Sequence, residues 1–236
     1  MQFNKIQSDI EIKGYTQFNL KDFNEEYYNE LLPLKCNEIN NLKHLMTGIR
    51  LDGSSYKPNE SQINENSVGY SSFEDAQEAM LAKLKLIKGQ PFQNWYRVEY
   101  HNLPLGNTIQ KIKYDISKKI FSIDESIKLQ SLVNDITFFD YGCQIVNHRD
   151  GTNLNRICAI IIYLNETYNI NDGGILKLDN NEEILPIFGN VVVISLKENG
   201  KNVEHQVNKV VGGIGRYAIT TFVVYTEGFQ NQITSQ

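Results

Sequence analysis

The sequence predicts an α+β fold in which helices back an all-β sandwich or barrel. Two patterns carry that expectation. Up to about residue 130 the clearest signals are helical stripes. After Ser131, short runs rich in Val, Ile, Phe and Tyr alternate with the turn clusters Asp-Tyr-Gly, Asp-Gly-Thr-Asn, Asn-Asp-Gly-Gly, Phe-Gly-Asn and Glu-Asn-Gly. Helices first and strands second imply segregated layers rather than an alternating α/β sheet. Size is the third observation: 236 residues, 41% of them apolar, can form one sizeable core, and no repeat or Pro/Gly-rich linker divides the chain. The expectation is a single domain over 1–236, with 1–130 as helical support and 131–228 as the β core.

From the N-terminus, Gly14–Phe18 reads as a strand and Phe23–Leu34 as a helix, with Tyr27, Leu31 and Leu32 on one face. Leu51–Ser71 is rich in Ser, Asn, Gly and Glu. A loop of that length suggests a cover over a site, with a plain irregular insertion as the alternative. Ser72, with Asp75 three residues on, resembles an N-cap. It opens a helix over Phe73–Lys88, striped by Ala76, Ala79, Met80, Leu84 and Ile87 and stopped by Gly89. Asn94–His101 alternates large aromatic and polar residues, as a strand at a pocket edge does. A further helix follows Asn107, buried through Ile109, Ile112, Ile116 and Ile120. His44 has no acidic or imidazole neighbour at ligand spacing and reads as a surface or packing residue; His101 reads as packing.

Charge and cysteine usage narrow the function classes. A net charge of −5 with 22% charged residues describes an ordinary soluble surface. A mildly acidic protein gains nothing from counterion release, which disfavours nucleic acid as a partner. The N-terminus shows no apolar segment behind its lysine, so no signal peptide is expected. The longest apolar run, Ile157–Leu164, is too short to span a bilayer. Cys36, Cys143 and Cys158 are odd in number and lack CxxC spacing, which fits reduced thiols in a cytoplasmic protein.

The chemistry-bearing stretch runs from Tyr141 to Tyr225. In a strand, residues two apart share a face, so His148 and Asp150 aim together while Arg149 faces away. In Val203-Glu-His-Gln-Val207 the valines share the face of His205, which therefore points inward. Two imidazoles and one carboxylate are the ligand set of a facial Fe(II) site with open coordination positions. Eleven residues after His205, Arg216 shares a face with Ala218 and Thr220. An inward guanidinium must meet an anion, since leaving it unpaired is costly. No acid lies on that face of its own strand, so a ligand carboxylate held by the guanidinium fork can supply the charge. Tyr163, ending the apolar run, can place a hydroxyl beside the same anion. The alternative for these residues is a β-sandwich with a surface His-Arg-Asp turn, a core histidine and an arginine paired to a distant glutamate.

In combination these segments resemble the 2-oxoglutarate- and Fe(II)-dependent dioxygenases, within them the prolyl-hydroxylase-like branch. The resemblance rests on Tyr141-Gly142 through His148-Arg-Asp150, Arg156–Asn165, Asp172–Leu176, Pro186–Gly189, His205–Val207 and Arg216–Thr220. It covers about the last 90 residues, and the first 130 match only loosely. It implies a double-stranded β-helix (jelly-roll, cupin-like) core backed by N-terminal helices. It assigns His148, Asp150 and His205 to iron, and Arg216 to the far carboxylate of 2-oxoglutarate, with Tyr163, Thr220 and Tyr141 as further cofactor-binding residues. Phe222 stands where many members carry tryptophan, and the presence of Asp150 disfavours the halogenating variants. The implied reaction couples oxidative decarboxylation of 2-oxoglutarate, with O2 as oxidant and ascorbate as a candidate reductant, to hydroxylation of an unactivated C–H bond. An amino-acid side chain in a peptide, a free amino acid or a small molecule is the expected substrate class, with Trp95–Tyr100 and the 51–71 loop as recognition elements. A non-catalytic metal-retaining binding module and an oxidative demethylase are the alternatives.

Overall fold

The computed structural model describes residues 3–34, 47–50, 55–56, 91–100, 103, 105–132, 134–150, 155–197, 200–201 and 203–226. The expected helix at Phe73–Lys88, together with Cys36, His44 and His101, lies outside the described residues. So does the 51–71 loop apart from Ser55–Tyr56. In chain order, α1 covers Phe3–Lys13, β1 Tyr15–Asn19, α2 Leu20–Phe23 and α3 Glu25–Leu31, followed by a short 3-10 turn at Leu32–Leu34. β2 (Thr47–Arg50), β3 (Ser55–Tyr56) and β4 (Pro91–Glu99) precede α4 (Gly106–Ile120). Then come β5 (Leu129–Ser131), β6 (Asp135–Phe139), β7 (Ile145–Arg149), β8 (Arg156–Tyr163), β9 (Leu176–Leu178), β10 (Glu183–Ile184), β11 (Asn190–Ser195), β12 (Glu204–Val207) and β13 (Arg216–Tyr225).

Among the described residues these strands form two antiparallel sheets. The larger has nine strands, in the order β1-β11-β8-β13-β6-β4-β2-β3 with β5 also pairing β13; the smaller runs β10-β9-β12-β7. β8 and β11 lie inside the large sheet, and their Ile and Val runs suit strands buried on both faces. Alternation then divides the core. Ile160, Ile162, Val191, Val193, Tyr217 and Ile219 point to the outer face and pack against the helices. Ala159, Tyr163, Val192 and Ala218 point to the inner face and share a core cluster with Leu176, Leu178 and Val207 of the small sheet and Val203 just before it.

α4 buries the stripe the sequence marked. Ile109, Ile112 and Ile116 are fully buried and Ile120 nearly so, each worth about 1.5–3 kcal/mol. A charge at the centre of that stripe, Ile112→Asp, would undock the helix. Lys118 and Lys119 in the last turn suit the helix C-terminus.

Three expectations need correction. The chain does not place helices first and strands second: β1 and β4, both from the first 130 residues, are built into the large sheet, with β1 pairing β11 and β4 pairing β6. The helix expected over Phe23–Leu34 is interrupted at Asn24. That residue is extended (φ −159°, ψ 111°), and its side chain caps α3 by accepting from the N–H groups of Glu26 and Tyr27. Ser55–Tyr56, expected within a loop, forms β3 against β2.

Candidate metal centre

Local backbone geometry aims each donor. β7 and β12 pair antiparallel with His205 opposite His148 and Glu204 opposite Arg149. Period two then puts both imidazoles on the inner face and sends Arg149 and Glu204 outward, where they form a loose surface ion pair at 3.9 Å. His148 Nδ1 lies 2.9 Å from the carbonyl of Val146, and His205 Nδ1 lies 3.1 Å from that of Val203. A carbonyl only accepts, so each Nδ1 carries a proton and each Nε2 is the ring nitrogen left for a metal. Both Nε2 atoms face Asp150, at 3.7 Å to Oδ1 from His148 and 3.7 Å to Oδ2 from His205, with the rings 4.3 Å apart. One donor atom from each of the three residues lies within 4.8 Å of the others.

Burial holds the His205 imidazole below its usual pKa, opposed by the charge of Asp150. The ring is therefore neutral near pH 7, the form a metal requires. Two imidazoles and one carboxylate, converging from one side with each Nδ1 turned to a backbone carbonyl, match the facial donor set of ferrous iron. The residues present fit that ion.

Arg216 opens β13 on the same inner layer and is almost fully buried. Its guanidinium lies 4.8 Å from the Phe139 ring and 5.0 Å from that of Tyr163. Its Nη2 donates to the Tyr163 hydroxyl at 3.4 Å, and its Nε has no partner. No ion pair to Arg216 occurs among the described residues. Cys143 is close enough for Arg216 to lower its pKa, but burial dominates and keeps the thiol protonated. It is not the missing anion. A buried guanidinium in this setting has hydrogen-bond capacity that a carboxylate could fill.

Two neighbours fix where that guanidinium sits. Asn165, fully buried, donates from Nδ2 to the carbonyl of Gly215 (2.7 Å) and accepts at Oδ1 from the N–H of Tyr217 (2.8 Å), bracketing Arg216 on both sides. Gly174 leaves room for the arginine stem: a Cβ there would stand 3.3 Å from Arg216 Cβ. Its neighbour Gly173 has φ +76°, and a Cβ on it would fall 1.9 Å from the carbonyl oxygen of Lys209. The turn therefore demands glycine twice over. Asn165 was missed as a site residue at the sequence level; its place at the end of the Ile157–Leu164 run was the available signal.

The other expected residues separate. Tyr163 is fully buried beside Arg216. Thr220 is half-buried on the Arg216 face, four residues along and thus about 13 Å up the strand. Tyr141 is 64% exposed in the turn between β6 and β7, outside the buried group. Tyr100, expected as a recognition element, is instead fully buried on the outer side of the large sheet, bonded to Asn134.

Residues 136–224 match the family model described as the 2OG-Fe(II) oxygenase superfamily. That segment contains all three donors, Tyr163 and Arg216. Among solved structures the chain is similar to a prolyl hydroxylase from Trichoplax adhaerens, determined in complex with a hypoxia inducible factor oxygen degradation domain peptide fragment. The identity is 15%, the coverage 99% of this chain and 93% of that one, and the TM-score 0.56. A Pseudomonas putida prolyl-4-hydroxylase matches at 13% identity, 95% and 98% coverage and TM-score 0.52. The non-heme alpha ketoglutarate dependent epimerase SnoN from nogalamycin biosynthesis matches at 10% identity, 94% and 81% coverage and TM-score 0.53. No curated protein sequence matches the chain. At these identities the solved structures speak for a shared fold. Residues 136–224 resemble the 2-oxoglutarate/Fe(II) oxygenases, and the fold as a whole resembles that of the prolyl hydroxylases.

Proposed function

We propose that this chain, carrying a 2OG-Fe(II) oxygenase segment over 136–224, is a working dioxygenase that hydroxylates an unactivated C–H bond. The bond belongs to an amino-acid side chain in a peptide, or to a free amino acid. One observation carries the reading: a buried Arg216 with an unpartnered Nε and no counter-carboxylate shares an inner layer with a converging His-Asp-His set. The two-sheet architecture supports a double-stranded β-helix core within one domain.

Each residue has a stated task. His148, Asp150 and His205 would hold Fe(II) through Nε2, a carboxylate oxygen and Nε2. Arg216 binds the far carboxylate of 2-oxoglutarate, with the Tyr163 hydroxyl as a second donor. The Phe139 and Tyr163 rings shield that ion pair from water and so strengthen it. Bound iron, 2-oxoglutarate and O2 supply the oxidising power; the protein supplies orientation and a dry pocket.

A peptide substrate is favoured over a small metabolite by the Trichoplax adhaerens structure, which was determined with a peptide bound. SnoN, with a fold of the same kind, is an epimerase, so a fold match does not by itself select hydroxylation. The test is succinate formation by the purified protein with Fe(II), 2-oxoglutarate and O2, with and without ascorbate. Mass spectrometry of proline-containing peptides then looks for a gain of one oxygen. Succinate should depend on all three components and vanish in His148→Ala; undiminished succinate in that variant would rule out the metal assignment. Iron bound at the site without any succinate would identify the non-catalytic module instead, and formaldehyde release the demethylase.

A further inference from the structure

The free edge of the large sheet carries a second binding feature. β1 is a terminal strand: β11 covers one side, and no described strand covers the other. The bonds from Ser195 N–H to the Gly14 carbonyl and from Leu20 N–H to the Gly189 carbonyl fix the phase of the β1–β11 ladder. Bonded residues alternate in an antiparallel pair. Thr16 and Phe18 therefore direct their backbone groups to β11, while Tyr15, Gln17 and Asn19 direct theirs outward.

These outward groups open into a groove of about 430 Å³ that runs the length of the strand. α1 contributes Lys5, Ile6, Asp9 and Lys13 to one wall; Glu182, from the turn between β9 and β10, stands on the opposite side. The Glu182 carboxylate accepts from the Tyr15 hydroxyl and from the side-chain amides of Gln17 and Asn180. Three neutral donors thus hold a negative charge beside the edge, and no ion pair to it occurs among the described residues. Lys13, the nearest wall cation in sequence, is engaged by Asp9 at 3.1 Å. The Thr16 hydroxyl, which also lines the groove, is buried without a partner.

We infer that the β1 edge is a docking site for an extended, basic segment of another protein, which adds to the sheet as a further strand and places a Lys or Arg against Glu182. Main-chain bonds to Tyr15, Gln17 and Asn19 give affinity, and the fixed carboxylate gives charge selectivity. The walls disfavour a second copy of this chain. Two edges, each recessed beside its own α1, cannot approach to the ladder spacing of about 4.8 Å, whereas one slim strand fits. None of His148, Asp150, His205 or Arg216 lines the groove, so docking leaves the metal centre open and the inference does not depend on the proposed reaction.

The probe is a display library of random heptapeptides selected on the full chain. Selection should enrich peptides with Lys or Arg at alternate positions, and Glu182→Gln should weaken the enriched peptides about tenfold or more. Peptide binding should slow amide exchange at Tyr15, Gln17 and Asn19 while leaving Thr16 and Phe18, already bonded to β11, unchanged. Four outcomes overturn the inference: no enrichment, enrichment without basic residues, full affinity in Glu182→Gln, or no new protection at the three outward amides. A dimer that protects those amides without peptide overturns the choice of occupant.

Discussion

Two buried cations lie on opposite faces of the same sheet and are built in opposite ways. Lys113, on the outer face, donates to Ser131 Oγ at 2.9 Å, Asn134 Oδ1 at 3.0 Å and Thr221 Oγ1 at 3.4 Å, with its ammonium 4.5 Å from the Tyr100 ring. All three of its donor positions are filled by fixed neighbours. Arg216, on the inner face, has one long bond, two ring faces and an unpartnered Nε. The difference separates structure from function without reference to any relative. A buried cation whose hydrogen bonds are complete ties elements together, here α4 to β5, β13 and the start of β6. One left incomplete beside a cluster of metal donors suits the proposed co-substrate.

The comparison can be broken most directly at the arginine. Arg216→Met should raise the KM for 2-oxoglutarate by about 100-fold or more, the loss of a paired charge-assisted contact. Without 2-oxoglutarate the variant should melt no lower than the parent, because an uncompensated buried charge has been replaced by an apolar chain. An unchanged KM would remove the anchor role. Saturating 2-oxoglutarate should also stabilise the parent, by about 2.7 kcal/mol at a hundred times Kd, and Arg216→Met should lose that thermal shift.

Acidity sharpens the contrast from the other side. Burial lowers the Lys113 pKa from 10.5 to about 7. The unfolded chain keeps that proton to far higher pH, so between pH 7 and 10.5 the unfolded state binds more protons. The Lys113 contribution to stability should rise with pH across that window, by up to about 1.4 kcal/mol per unit, and flatten below pH 7. The buried thiols of Cys143 and Cys158, pushed above their usual pKa, act in the opposite direction above about pH 9. Urea titrations of the parent and Lys113→Met should differ by this slope; identical pH dependence in the two would assign it elsewhere. At pH 7 the same variant should change stability by about 1–3 kcal/mol, since three oxygens lose their donor, and leave the KM for 2-oxoglutarate unmoved. The smallest effect is expected at Thr220. Thr220→Val should alter that KM less than about threefold, because four residues of strand set it apart from the guanidinium. A larger change would place its hydroxyl on the co-substrate.

Much of the site was legible because its logic is local. Period two in a strand was enough to pair His148 with Asp150, turn His205 inward between valines and set Arg216 facing the interior. The α4 stripe was equally plain. What escaped depended on partners far away in sequence or on weak stripes. α1 buries only Ile6 and Ile10 over eleven residues, too sparse a pattern to announce a helix. The strand at Gly14–Phe18 was legible, but not its place in the large sheet, which it takes through β11 some 175 positions later. The break at Asn24 is made by one side chain turning back onto the backbone, and helical spacing continues across it. Nothing near Lys113 distinguishes it from Lys111, two residues earlier in the same helix; only the packing of α4 shows which amine is buried. Tyr141 sat within the matched segment, yet the turn around Gly142, at φ +86°, leaves its ring outside.

The fixing of the two imidazoles has a wider use. Each ring turns its Nδ1 to a carbonyl only two residues back along the chain. Much of the aiming device is thus local: Val146–Asp150 laid antiparallel to Val203–Val207 carries both ring-to-carbonyl contacts. Transplanted in register onto an unrelated two-stranded scaffold, it should bring its nitrogen lone pairs along already pointed.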